Sequence, residues 1–382
     1  MLGHDALLAL EELPSYDATQ SLKWNEQLRT KFDAAVVAEI LTQSRLQAAA
    51  HSKFGHDATK FLYTQSALEQ ASGYSLAQYH AQRFVQAGIN HVVDVGCGIG
   101  ADSIAFAQAG LEVVAIEQDQ QTAEYARYNL SSFPQAKVLC QDGAAYQPDE
   151  GSALWFDPAR RSGQKRLFNP DDFSPPLSLA YSYAQQGFAV AMKLSPAMKH
   201  EDIPENCQAQ WLSHEGNTAE LCLWFNGLRQ EYRRSAIVFK NGQYHELGTQ
   251  RAFDDNPDIL LTQPQKYIYE PDGALLRAGL LNELAAEYQL AQIDTQIAYL
   301  TSEHKVSNPW LRRYELADIM PYKRKVLKEY VKKHEIGNLT IKKRGIKETP
   351  EEIRKLLKPR GKNSATMIIT RAAGQRIVLL VR

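Results

Sequence analysis

Residues 92–102 read VVDVGCGIGAD. An apolar run closes on an acid, Asp94, and glycines follow at alternate positions, Gly96, Gly98 and Gly100, with Cys97 between the first two. A helix-forming stretch then begins at once. Glycines without Cβ atoms let a ligand lie directly against backbone. A turn that carries the chain from strand to helix is where an open α/β sheet binds its ligand. The spacing is G-x-G-x-G with an acid two residues ahead, not the G-x-G-x-x-G of dinucleotide-binding turns. Ala101 stands where that second pattern accepts Gly or Ala, so the spelling leaves a dinucleotide open as the alternative ligand.

Outward from this turn, the chain alternates strand and helix as a doubly wound sheet should. Strands are expected at 91–95, 112–117, 136–140, 152–156, 187–193, 209–213 and 219–225, with helices at 100–109 and 120–130. The last two strands are joined by HEGNT, which gives a closing antiparallel hairpin. Residues before 90 read as helix, notably 22–41 and 61–86, where apolar residues recur every three to four positions. SAIVFKNGQYHEL is a further hairpin turning at Asn241-Gly242, either a sheet extension or a linker. From 265 on, the pattern restarts as a smaller α+β unit. It has a strand at KYIYEP, helices at GALLRAGLLNELAAEYQ and KRKVLKEYVKKHEI, a strand at NLTIKKRG, and a closing hairpin, ATMIITRAAGQRIVLLV. Thr349 and Pro350 mark a helix start as N-cap and first helical residue. The expected organisation is a helical region over 1–88, an α/β domain over 89–264 and a basic α+β domain over 265–382.

The 382 residues exceed the usual size of one core. No run approaches the length of a membrane span, and the N-terminus lacks the pattern of a signal peptide, so a cytoplasmic protein is expected. The four cysteines, Cys97, Cys140, Cys207 and Cys222, form no C-x-x-C pair and read as buried free thiols, and the ten histidines show no ligand spacing. No metal is expected. The net charge of −1 hides a split. Residues 301–382 carry 21 Lys and Arg against 8 Asp and Glu, while the rest carry 22 against 36. A basic module fused to an acidic one points to a polyanionic partner or to docking of one on the other.

Glu117 closes the second strand in VVAIEQD, 17 residues after Gly100 and just before Gln118. An acid at that offset can accept hydrogen bonds from both ribose hydroxyls of an adenosine and would repel a 2′-phosphate. Asp142-Gly143 follows the third strand, and Asp157-Pro158 follows the fourth in ALWFDPARRSG.

Taken together, VVDVGCGIGAD, VVAIEQD, ALWFDPARRSG, AMKLSP, YIYEPDGALLRAGL and NLTIKKRG resemble one family. It is the bacterial class I S-adenosylmethionine-dependent methyltransferases with a THUMP-like C-terminal domain, distantly similar to cap-guanine N2-methyltransferases. The resemblance runs from about residue 50 to the C-terminus. It implies a Rossmann-like seven-stranded sheet and S-adenosylmethionine as cofactor. Asp94, Gly96, Cys97, Gly98, Gly100, Glu117, Gln118, Asp142 and Gly143 would contact that cofactor, with Asp142 facing the adenine amine. Asp157 and Pro158 would be catalytic, matching the first half of the [D/N]-P-P-[aromatic] of amine-methylating nucleic-acid enzymes. Ala159 and Arg160 depart from the second half. Arg160 and Arg161 would then contact substrate, or form surface ion pairs. Lys193 and Ser195 in AVAMKLSPAMKH would line the substrate side. That stretch has no cysteine, which rules out covalent pyrimidine C5 chemistry. Gln70, Ser72 and Tyr79 would close the methionine end. Lys342, Lys343 and Arg344, with Lys323, Arg324, Lys325, Lys332 and Lys333, would follow a nucleic-acid backbone. The expected reaction is methylation of a nitrogen in an RNA base of tRNA or rRNA. The alternative is a small-molecule or protein substrate, with the tail as a docking module.

Overall fold

The computed structural model describes residues 2–70, 73–158, 161–162, 165–166 and 173–382, of which 70, 161–162 and 165–166 by backbone alone. Contacts divide the chain into two compact units. The first is Met1–Ser195 with Pro204–Gln208 and Cys222–Gln230; the second is Pro196–Ile203, Ala209–Leu221 and Glu231–Arg382.

The first unit opens with helices α1 (His4–Glu12), α2 (Ser21–Leu28), α3 (Ala34–Phe54), α4 (Gln65–Gln70) and α5 (Tyr74–Gln86). The long helix expected over 22–41 is two helices, because Asp33 starts a new one: its side chain accepts from Val36 N at 3.0 Å. The stretch 61–86 is likewise divided between α4 and α5.

The sheet follows as β1 (His91–Val95), α6 (Ala101–Gln108), β2 (Glu112–Glu117), α7 (Gln120–Asn129), β3 (Ala136–Cys140), β4 (Ala153–Phe156), the short β5 (Arg161–Ser162) and β6 (Lys165–Arg166), α8 (Leu177–Gln185), β7 (Ala189–Leu194), β8 (Cys207–His214) and β9 (Asn217–Phe225). β10 (Arg234–Lys240) and β11 (Gln243–Thr249) complete it, in the order β11-β10-β8-β9-β7-β4-β1-β2-β3. The expected seven strands are all present, and the 235–247 hairpin extends the sheet. The β8–β9 hairpin, turned at Glu215-Gly216, contributes residues to both units.

The central strands are parallel, with Val95 opposite Ile116 on one side and Phe156 on the other. Strands covered on both faces are apolar throughout, which is why Ala153-Leu154-Trp155-Phe156 reads as an unbroken buried run. Trp155 packs among Phe84, Phe106 and Trp224, with ring centroids 5.9–6.2 Å away. Each such side chain contributes roughly 1.5–3 kcal/mol by burial. This layer fixes the ends of β1 and β4, where the glycine turn and Asp157 emerge.

The second unit contains β12 (Tyr267–Pro271), α9 (Gly273–Arg277), α10 (Leu281–Tyr288), β13 (Ala291–Asp294), β14 (Ile297–Ser302), β15 (Leu311–Pro321), α11 (Arg324–Lys333), β16 (Ile336–Lys343), α12 (Pro350–Leu357), β17 (Asn363–Ala372) and β18 (Gln375–Val381). Their sheet runs β13-β14-β12-β15-β18-β17-β16, with only β16–β17 parallel among these pairs. Leu327 and Val331 of α11 and Ile353 and Leu357 of α12 cover one face, packed with Leu339, Met367 and Val378. Residues 231–264 group with the tail, so the compact units do not divide at 264/265. The reason is visible in Arg234, which is fully buried. Its guanidinium donates to the carbonyls of Arg251, Ala278 and Gly279 and to Asn256, and pairs with Glu283 at 3.0 Å. A planar group with all its donors engaged holds β10 to the α9–α10 region.

Thr349 accepts from Glu352 N at 3.2 Å while Glu352 accepts from Thr349 N at 2.7 Å, a complete capping box at the start of α12. Thr349→Ala should lower the free energy of opening α12 by about 1 kcal/mol, read by amide hydrogen exchange, and Thr349→Ser should restore most of it.

Candidate functional site

The turn after β1 is held by one acceptor: Gly96 N and Cys97 N both donate to the Ile116 carbonyl at 2.9 Å. Gly96 and Gly98 have φ of +87° and +58°, a region that disfavours side chains. A Cβ at Gly96 would stand 3.2 Å from the Asp157 carbonyl and 3.3 Å from Pro175 Cδ. Glycine here therefore lets the end of β4 close against the turn. A Cβ at Gly98 would meet no protein atom within 4 Å. That open space belongs to a cavity of about 210 Å³.

Gly96, Cys97, Gly98, Glu117, Gln118, Asp142, Gly143, Asp157 and Pro158, nine of the residues expected from the sequence, line this cavity. Glu117 takes Gly98 N at 3.1 Å on one oxygen and Asp119 N at 2.8 Å on the other. Burial pushes its carboxyl above the usual range, and these two amides pull it back. Gln118 donates to Ser174 Oγ at 2.9 Å. Asp142 accepts from Ala144 N at 2.9 Å and caps a short turn of 3₁₀ helix.

Two expected cofactor residues sit differently. Gly100 is the N-cap of α6 in the left-handed region and does not line the cavity. Asp94 lies buried beneath the turn, also outside the lining, and accepts from Ser103 Oγ at 2.5 Å. Its other oxygen has no hydrogen-bond partner among the described residues. Burial first, and the neighbouring Asp102 second, push its carboxyl well above the usual range. Cys97 is buried and its thiol is pushed up by the same desolvation. Cys140, expected to be buried, is exposed, because β3 is the edge strand of the sheet.

Sequence reasoning missed Asp102, which lines the cavity from the first turn of α6. Its Oδ1 is 2.8 Å from His80 Nδ1, and its Oδ2 is 3.5 Å from Lys193 Nζ. Lys193 in turn pairs with Asp157 Oδ2. Four ionisable side chains from α5, α6, β7 and the end of β4 thus form one line, with three of them buried and Asp157 partly open. Asp102 stood in the motif itself, but its partners are 22 and 91 residues away, a separation that no periodicity encodes. Ser66 and Ala67 of α4 also line the cavity, a few residues before the expected Gln70. Tyr79 is half-buried and not part of the lining, the side chain of Gln70 lies outside the described residues, and so does Ser72.

Ser195 is half-buried just past β7 and not part of the lining. Arg160 lies outside the described residues, and Arg161 is described only as the first backbone position of β5. In the second unit, Lys342 and Arg344 are turned to internal partners. Lys342 pairs with Glu270 and lies 5.3 Å from the Tyr314 ring; Arg344 is 3.9 Å from Glu270 and 5.1 Å from the Tyr299 ring. Lys343 donates to the Ile346 and Lys347 carbonyls at 3.4 Å. The half-buried Glu270 carboxylate on β12 draws Lys342 and Arg344 inward, while Lys343 stays exposed, so the three do not present their charge together.

Residues 311–382 match the THUMP domain-like family. Uncharacterized S-adenosylmethionine-dependent methyltransferases from two strains of Mycobacterium tuberculosis, CDC 1551 / Oshkosh and ATCC 25618 / H37Rv, are each 30% identical to the chain over 319 residues, 82% of this chain and 85% of theirs. The chain belongs to the S-adenosylmethionine-dependent methyltransferases. A crystal structure of a Porphyromonas gingivalis W83 protein, described as a candidate methyltransferase, superposes with a TM-score of 0.77 at 22% identity, covering 100% of this chain and 99% of that one, and shares the fold. No helix among the described residues is long and apolar enough to cross a membrane.

The cavity suits the methyltransferase cofactor on one observation: the space above Gly98 that no side chain of the described residues fills. Gly98→Ala places a methyl group in that space. It should cost about 1 kcal/mol of stability from the left-handed backbone and weaken S-adenosylmethionine binding about tenfold or more, ~1.4 kcal/mol. Thermal unfolding and calorimetry read the two effects separately.

Proposed function

We propose that this methyltransferase acts on a nitrogen of an RNA base, in tRNA or rRNA, and that Asp157 and Pro158 hold the target. The observation that carries the reading is the position of Asp157: it leaves the end of β4 into the cavity lined by the glycine turn, with its carboxylate paired to Lys193. In this reading Gly96, Cys97, Gly98, Glu117, Gln118, Asp142 and Gly143 hold the cofactor. Glu117 presents its remaining lone pairs to ribose hydroxyls, and Asp142 faces the adenine amine. Asp94 and Gly100 shape the turn from behind.

Bound S-adenosylmethionine supplies an electrophilic methyl group on a sulfonium. The protein's own contribution is alignment, since direct displacement needs the nucleophile held in line. Asp157 accepts an N–H of the target amine, which fixes the direction of the nitrogen lone pair. The Lys193 side chain orients that carboxylate, and Asp102, tied to His80, keeps Lys193 in place. The proton lost from nitrogen passes to Asp157 or directly to water through its open side. Arg160, Arg161 and Ser195 remain candidates for substrate contact beyond this centre.

Two features support RNA over other substrates: the THUMP domain-like match and the basic balance of residues 301–382. The test is transfer of labelled methyl groups into RNA, protein and metabolite fractions, with mass spectrometry of nucleosides from a deletion strain. One modified nucleoside missing from the deletion strain is expected; label in protein or metabolites alone would overturn the RNA reading. Asp157→Ala should bind S-adenosylmethionine within a few-fold of wild type and lose about 10²-fold in methyl transfer. Lys193→Gln should also lower turnover without changing cofactor affinity.

A further inference from the structure

With Lys342 and Arg344 drawn inward, the positive charge of the second unit has to be sought on another face. Lys328 and Lys332 lie one turn apart on α11, and the segment after α12 brings Lys358, Arg360 and Lys362 beside them. The five line one open groove of about 680 Å³. Its floor includes the buried side chains Val331, Ile336 and Leu357, and its one carboxylate, Glu335, lies 3.6 Å from Lys362.

The groove is built by backbone contacts. Gly361 N donates to the Ile336 carbonyl at 3.1 Å, Asn363 N to that of Glu335 at 2.9 Å, and Asn363 Nδ2 to that of His334 at 2.9 Å. A Cβ on Gly361 would stand 1.7 Å from the Glu335 carbonyl oxygen, and one on Gly337 would stand 1.7 Å from that of Gly361. Glycine at both positions lets the 358–362 segment lie directly on the α11–β16 turn. The backbone that carries these cations is thereby fixed before any ligand arrives, which lowers the ordering cost of binding.

We propose that this groove holds the phosphate backbone of RNA, a proposal that rests on the RNA reading above. Five cations around one carboxylate, on a concave surface, suit a chain of phosphates. A lipid surface would be met by protruding apolar side chains, and here the apolar residues lie at the floor. Contacts of this kind give affinity and register without base choice, so the groove binds RNA of any sequence.

The test uses the full chain with two fluorescent probes, a tRNA transcript and a single-stranded RNA oligonucleotide, titrated at several salt concentrations. Lys328→Glu/Lys332→Glu/Arg360→Glu removes groove charge. Lys305→Glu/Arg312→Glu/Arg313→Glu reverses as many charges at exposed positions of the second unit away from the groove and serves as comparator. The groove variant should bind about tenfold or more weakly at ~0.1 M salt, with a salt slope flatter by about 2, and the comparator should lose much less. Calorimetry with S-adenosylmethionine should show an unchanged first unit. If the glutamate variant does not fold, Lys328→Gln/Lys332→Gln/Arg360→Gln should weaken binding in the same direction. Equal loss in groove variant and comparator, or no loss in either, overturns the groove while leaving RNA as substrate. A wild-type protein that binds neither RNA, or binds only vesicles of anionic lipid, overturns both readings.

Discussion

The carbonyl of Ile116 holds the site together. By accepting two successive amides of the glycine turn, it ties the end of β1 to the end of β2. Everything that lines the cavity takes its place from that clasp. Gly98 is brought under Glu117, Gly96 is pressed against the end of β4, and α6 starts where Asp102 can reach the interior. A side chain at Gly96 would be strained twice, by the left-handed backbone and by a tight 3.2 Å approach to the Asp157 carbonyl. The specificity of the motif is therefore steric before it is chemical.

The second organising feature is a line of opposite charges taken out of water. His80, Asp102, Lys193 and Asp157 alternate, so that each ionised group faces one of opposite or neutralisable charge. Buried charges are tolerated only under that condition. The arrangement carries positive potential to the innermost oxygen of Asp157 while its outer side stays open.

Much of the α/β half was legible because parallel strands covered on both faces must be apolar from end to end, and a run such as 153–156 announces itself. Acids at their ends were legible for the same reason: they interrupt the run where the strand leaves the core. The second unit was less so. β13, β14 and β15 escaped the sequence reading; β15 is an eleven-residue strand whose exposed and buried positions do not alternate strictly, and its register shifts against β18. The helix break near 29–33 depends on a single cap, which weighs little against a continuous apolar stripe. Charge was the least legible property. Whether Lys342 faces water or Glu270 is decided by a strand 72 residues earlier in the chain.

The path of the chain has a consequence for synthesis. It crosses between the two compact units five times, because Pro196–Ile203 and Ala209–Leu221 belong with residues that follow them by a long stretch. The partner strand of β8 on its outer side, β10, emerges from the ribosome only after the catalytic half has been made. Until it does, β8 is an open edge able to pair with another chain. No single cleavage of the polypeptide separates the two units cleanly.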